Sequence, residues 1–262
     1  MPVTVDTRNR ESGASLPTVA QSMAAVRFRG DPTDIRSLLL PDPLEPHDDG
    51  DVGWIAIVDT IMARARRENP ELPPRATAFQ EVAVGTPCQW DGETYLANPY
   101  IYVERSTAGF ERGIIRGIAD VAKETWHPTC RGRAAPAAGQ TVRASASYHG
   151  ESIVDLAMEL GDSAAPSALP GYFFDYVHYR RLPDATSPGE YLAHDLAAME
   201  TADFEVGAVR EAEAECRWGH WLDGRFAALD VEWGPAYHVT FAYNYVEDRF
   251  LTPVASGGGI PG

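Results

Sequence analysis

Lysine is almost absent from this sequence. Of its 22 basic residues, 21 are arginine and one, Lys123, is lysine. The other scarcities each exclude something. Three cysteines, Cys88, Cys130 and Cys216, are odd in number, widely spaced and without a CxxC pair. That excludes a disulfide scaffold and fits a reducing compartment. No apolar run approaches the length of a membrane span, and the first twenty residues hold no apolar stretch of signal-peptide length, so a cytoplasmic protein is expected. Basic residues are outnumbered by acidic ones, giving a net charge of −16 and a pI near 4.8. Nucleic acid and anionic membrane are therefore not expected as partners, since both require basic surface. The sequence also lacks GxGxxG, GxxxxGK, HExxH and GxSxG, and its seven histidines show no metal-ligand spacing. No metal and no cofactor are expected.

What is present is mostly strand signal. A hydrophobic fraction of 44% is ample for a core. "GDPTDIRSLLLPDP" predicts a short helix, with Asp31 as N-cap, Pro32 in the first turn and Pro41 beyond its end. "WIAIVD" predicts a strand. "FQEVAVGTPCQWDGETYLANPYIYVE" predicts strand, Asp91-Gly92 turn and strand. Further strands are predicted in "TVRASASYHGESIVDLAMEL", with a turn at His149-Gly150, in "GYFFDYVHYRRL", in "ADFEVGAVREAEAEC" and in "AYHVTFAYNYV". "WLDGRF" predicts another tight turn. Period-two spacing sets Glu211, Glu213 and Glu215 on a wet face, and Phe241, Tyr243 and Tyr245 together on one face. The acidic group Asp48, Asp49 and Asp51 is expected to be solvated. Many strands joined by tight turns imply a mainly β fold of antiparallel sheets, a partly open barrel with a few short helices. No linker divides the chain. A flexible segment over 1–18, one domain over 19–252 and a flexible tail over 253–262 are expected.

Lys123 sits in "GIADVAKETWHP", flanked by Ile118, Val121, Ala122 and Trp126. In a lysine-poor chain a remaining lysine is ordinarily a surface residue. An apolar setting, however, disfavours the ammonium and raises the share of free amine, the form able to attack a carbonyl.

Four stretches, in order and spacing, resemble acetoacetate decarboxylase. "VRFRGDPTDIRSLLLPDPLEP" (26–46) is similar to that family's opening strand and helix. "FQEVAVGTPCQWDGETYLANPYIYVE" is similar to its aromatic-x-Glu strand and following hairpin. "KETWHP" is similar to the stretch beginning with its imine-forming lysine, and "PGYFFDYVHY" to its Pro-x-Tyr strand. The resemblance spans roughly residues 20–252. It implies that Lys123 is the nucleophile, that Glu81 transfers protons, and that the substrate is a small oxo acid. It also implies a lyase, most simply a β-oxo acid decarboxylase, working as a homo-oligomer. An aldolase, dehydratase or cyclase using the same imine, and a non-catalytic ligand-binding member, are the alternatives.

Several positions depart from the family pattern. The family's arginine near the N-terminus falls on Gln21, and its second glutamate on Gly53 or Trp54. The basic residue after the lysine is Glu124, and "GIIRGIAD" displaces Arg116. Gln21, Arg116, Phe79 and Trp126 are the expected substrate-binding residues. The aromatic supply of Phe79, Trp126 and Tyr243 points to a larger or less polar substrate than acetoacetate.

Overall fold

A computed structural model describes residues 18–64, 75–104, 117–118, 120–123, 136–148, 150–183, 191–219 and 229–253. The predicted helix is present as α1 (Pro32–Leu39). The Asp31 carboxylate accepts the amides of Thr33 at 2.8 Å and Asp34 at 3.4 Å, satisfying two orphan donors of the first turn. Those bonds hold its pKa below the ordinary carboxylate value. Ile35, Leu38 and Leu39 are buried on one face of α1. Among the described residues no helix is long and apolar enough to cross a membrane.

The strands are β1 (Thr18–Arg29), β2 (Glu45–Pro46), β3 (Val52–Arg64), β4 (Arg75–Trp90), β5 (Glu93–Val103), β6 (Gly117–Ile118), β7 (Asp120–Lys123), β8 (Thr141–Tyr148), β9 (Glu151–Ala164), β10 (Tyr176–Pro183), β11 (Tyr191–Trp218) and β12 (Glu232–Pro253). They form one sheet in the order β10-β5-β4-β3-β1-β12-β11-β9-β8-β7, and β10 also pairs with β11. The sheet therefore rings round on itself, though it is not a barrel. The reason lies in β11. Its first half pairs with β10, while its second half, Val209–Trp218, pairs with β9 and belongs to an outer layer. Four register shifts against β12 accommodate the bend, and Asp203 within one of them has φ 52°. Most pairings are antiparallel, as expected, but β10–β5 and β5–β6 are parallel, so the sheet is mixed.

The Asp91-Gly92 turn has positive φ at both residues, 51° and 79°, as a two-residue hairpin of matching twist requires. Gly150 follows with φ 83°. The predicted strand over "GYFFDYVHYRRL" begins later than expected: residues 171–174 are turn, and the strand starts at Tyr176. The "WLDGRF" turn lies outside the described residues. Glu211, Glu213 and Glu215 are exposed, as their spacing predicts. The Asp48–Asp51 group is more than a solvated face, because Arg29 is ion-paired with Asp51, and Arg27 with Asp49 at 3.6 Å.

Two cores result. The larger packs the outer side of the ring, through Phe28, Ile55, Ile57 and Val82, against Val142, Leu156 and Leu160 of the second layer, with Val121 of β7 among them. The second fills the inside of the ring with Met23, Trp54, Val58, Phe173, Phe241 and Tyr243. β1 and β3 are shared by both, presenting alternate residues to each.

Candidate active site

A cavity of about 110 Å³ lies inside the ring. Alternation along each strand decides its lining. β1 contributes Val19, Gln21, Met23 and Ala25; β3 contributes Trp54, Ala56, Val58 and Thr60; β4 contributes Phe79, Glu81 and Ala83. The walls are mostly apolar, and Trp54 packs edge-on to Phe173 at 5.0 Å between ring centroids. Among the described residues Glu81 is the one acidic or basic side chain, histidine apart, that lines the cavity.

Glu81 is held in place by its neighbours. Its Oε1 accepts from Gln21 Nε2 at 2.9 Å and from Thr60 Oγ1 at 2.8 Å, and Gln21 Nε2 also donates to Thr60 Oγ1 at 2.9 Å. Strand pairing builds this group. Gln21 is directly opposite Thr60, and Glu81 is opposite Val58, one inward position along β3 from Thr60. Such diagonal positions are within reach of long side chains. A carboxylate fixed by two neutral donors in an apolar cavity can accept and return a proton from a set direction.

Of the predicted site residues, the structure brings together Glu81, Gln21 and Phe79. Arg116 and Trp126 lie outside the described residues. The backbone of Lys123 closes β7, paired with Ala144 of β8, while its side chain lies outside what is described. Just upstream, β6 is paired with Tyr102 and Val103 of β5, and Val103 lines the cavity. The Gly53–Trp54 pair also has a clear outcome. The Phe28 ring fills the space a Cβ on Gly53 would need, and Trp54 presents an indole to the cavity where the resemblance places a second glutamate.

Four polar liners were not anticipated from sequence: Thr60, Asn98, Tyr176 and His178. The signal for them is a polar group recurring at period two in apolar strands, as in "LANPY" and "YVHY". Asn98 depends on Gly85. A Cβ at Gly85 would overlap the Ala97 carbonyl and the Asn98 amide oxygen. Gly85→Ala is expected to lose about 1–3 kcal/mol in denaturant unfolding, the usual cost of forced overpacking. An unchanged midpoint would show that β4 and β5 can separate there freely.

The described cysteines are poor nucleophiles. Burial pushes the thiols of Cys88 and Cys216 up to about 12. Iodoacetamide at pH 8 is expected to leave both unmodified in the folded protein and to label both after denaturation, as read by peptide mass mapping. Cys130 lies outside the described residues.

Comparison with known proteins gives a consistent picture. The family model described as acetoacetate decarboxylase matches residues 1–251. No curated protein matches the sequence. Among solved structures, an acetoacetate decarboxylase-like enzyme from Sphingomonas wittichii RW1 is 18% identical, with TM-score 0.74, covering 92% of this chain and 94% of that one. The enduracididine biosynthesis enzyme MppR complexed with pyruvate is 18% identical, with TM-score 0.72, covering 94% of each chain. Acetoacetate decarboxylase from Legionella pneumophila is 11% identical, with TM-score 0.65, covering 96% of this chain and 94% of that one. At these identities the likeness establishes the shared fold.

Proposed function

Because this chain belongs to the acetoacetate decarboxylase family, we propose that it is an imine-forming lyase acting on an oxo acid, with Lys123 as nucleophile and Glu81 as proton-transfer group. The observation that carries this reading is Glu81 itself, a carboxylate oriented by Gln21 and Thr60 inside an otherwise apolar cavity. The Lys123 assignment rests on the resemblance of "KETWHP". The backbone is compatible with it: Lys123 lies five positions beyond Ile118, which pairs with cavity-lining Val103, and five residues span at most roughly 17 Å.

The chemistry follows in order. The neutral amine of Lys123 adds to the ketone of a β-oxo acid, and water leaves to give a protonated imine. The electrons of the bond to the carboxyl carbon move toward the imine nitrogen, CO₂ departs, and an enamine remains. Glu81, protonated from solvent once in each cycle, delivers that proton to the enamine carbon, and water then releases the product ketone and the amine. An apolar cavity favours the step that turns a carboxylate into uncharged CO₂.

The test is reductive trapping. Borohydride with acetoacetate, and separately with pyruvate, is expected to add the mass of the reduced adduct at one internal site, since Lys123 is the sole lysine. No internal adduct with either acid would overturn the reading. A second reading, carbon–carbon bond formation on pyruvate with the carboxylate retained, is supported by the similar enzyme MppR, solved with the condensation product of pyruvate and imidazole 4-carboxaldehyde. Measuring CO₂ release against condensation on the same acids separates the two.

A further inference from the structure

One polar group of the cavity has no use in the chemistry above. Tyr176 opens β10 and is 8% exposed, and its hydroxyl has no hydrogen-bond partner among the described residues. A hydroxyl shielded from water and unpaired is costly, and a native fold keeps one where something else supplies the acceptor. The position is well defined. Parallel pairing sets Tyr176 beside Leu96 and His178 beside Asn98, and all four line the cavity. The His178 ring stacks on that of Tyr176, with centroids 6.2 Å apart. Burial, followed by the charges of Tyr243, Glu81 and Asp175, raises the Tyr176 pKa well above its ordinary value. The hydroxyl therefore keeps its proton and can only gain by donating it to an acceptor.

We propose that Tyr176, with Asn98 one inward position along β5 from its neighbour Leu96, holds the substrate carboxylate through neutral donors, and that the substrate carries an apolar, aryl-sized substituent. The carboxylate assignment rests on the oxo-acid reading above. Around Tyr176 and Asn98 the cavity is walled by Leu96, Trp54, Phe173 and Met199, which suit an apolar substituent and leave the acid end few polar choices. Neutral donors also suit the reaction. An arginine clamp would stabilise the carboxylate and oppose loss of CO₂, whereas a tyrosine and an amide orient it without neutralising it. Asn98 is 7% exposed, and the bare Gly85 gives its amide room.

The experiment is isothermal titration calorimetry of the full chain with two probes. The first is 3-phenylpropanoate, which has the carboxylate and aryl group but no ketone. The second is propylbenzene, which has the aryl group alone. Wild type is expected to bind both. Tyr176→Phe is expected to bind 3-phenylpropanoate about 10-fold more weakly, the effect of losing one hydrogen bond to a charged group, and propylbenzene within twofold. Its melting temperature is expected to be unchanged or raised, because an orphan hydroxyl is removed. Asn98→Asp sets a like charge against the carboxylate and is expected to weaken 3-phenylpropanoate more than 10-fold while sparing propylbenzene. This variant decides the matter if Tyr176→Phe does not fold. Wild type failing to bind 3-phenylpropanoate, or folded Tyr176→Phe binding it within twofold of wild type, would overturn the proposal. Neither probe can form an imine, so failure here is distinct from failure of reductive trapping, which tests Lys123.

Discussion

Lys123→Arg is expected to abolish trapping by borohydride at any internal site and to lower turnover by at least about 10⁴-fold, the scale seen when a covalent nucleophile is removed. Arginine keeps the positive charge and most of the length but cannot present a neutral amine, so charge and chemistry are separated in one substitution. The composition makes the measurement clean. With one lysine in 262 residues, an adduct in the variant can form only at the N-terminal amine, which peptide mapping distinguishes. Retention of turnover and of an internal adduct in the variant would exclude imine catalysis by Lys123. Loss of turnover with an intact fold, checked by melting temperature, supports it.

Glu81→Gln is expected to have the second largest effect, slowing turnover by about 10²- to 10⁴-fold, the range for loss of a general acid or base. The amide is close in shape, and the cavity keeps its form. The imine should still form, so trapping should proceed while product release stalls. That split distinguishes a proton-transfer role from a merely structural one. Two donors, Gln21 Nε2 and Thr60 Oγ1, converge on Glu81 Oε1, and the substituted amide can satisfy both only by presenting its oxygen there. A variant with full turnover would mean that another group moves the proton. A variant that no longer traps would place Glu81 in imine formation itself.

The sequence was most readable where a local rule had one solution. Asp31 and Pro32 mark the helix start because caps and first-turn prolines are local chemistry. Asp91-Gly92 marks a hairpin because few other pairs accept positive φ twice in succession. Glu81 and Gln21 were picked out through the family resemblance and Phe79 as one of the aromatics, and all three line the cavity. Reading failed where placement depends on two environments at once. β1 is buried on both faces, so "TVAQSMAAVRF" shows no alternation to mark it as a strand. In the first half of β11 the successive residues Leu196, Ala197 and Ala198 are all buried, so that stretch shows no alternation either. Tyr176 and Asn98 were missed for a related reason. Their polar groups recur at period two, but which face turns inward is set by a parallel pairing between segments far apart in sequence.

The pairing of β1 with β12 has a consequence for the birth of the protein on the ribosome. β12 is 22 residues long and lies between β1 and β11, and its Tyr243 is part of the cavity wall. Until those residues leave the exit tunnel, β1 and β11 are open edges and the ring has a missing stave. The nascent chain thus carries two unpaired edges of the kind that invite wrong partners, and the contact that closes them joins the most distant described strands, a slow event by topology. No carbonyl compound can be enclosed before that moment. Closure of the cavity therefore waits on the synthesis of β12: a chain cut short before it would lack a wall and keep both edges exposed.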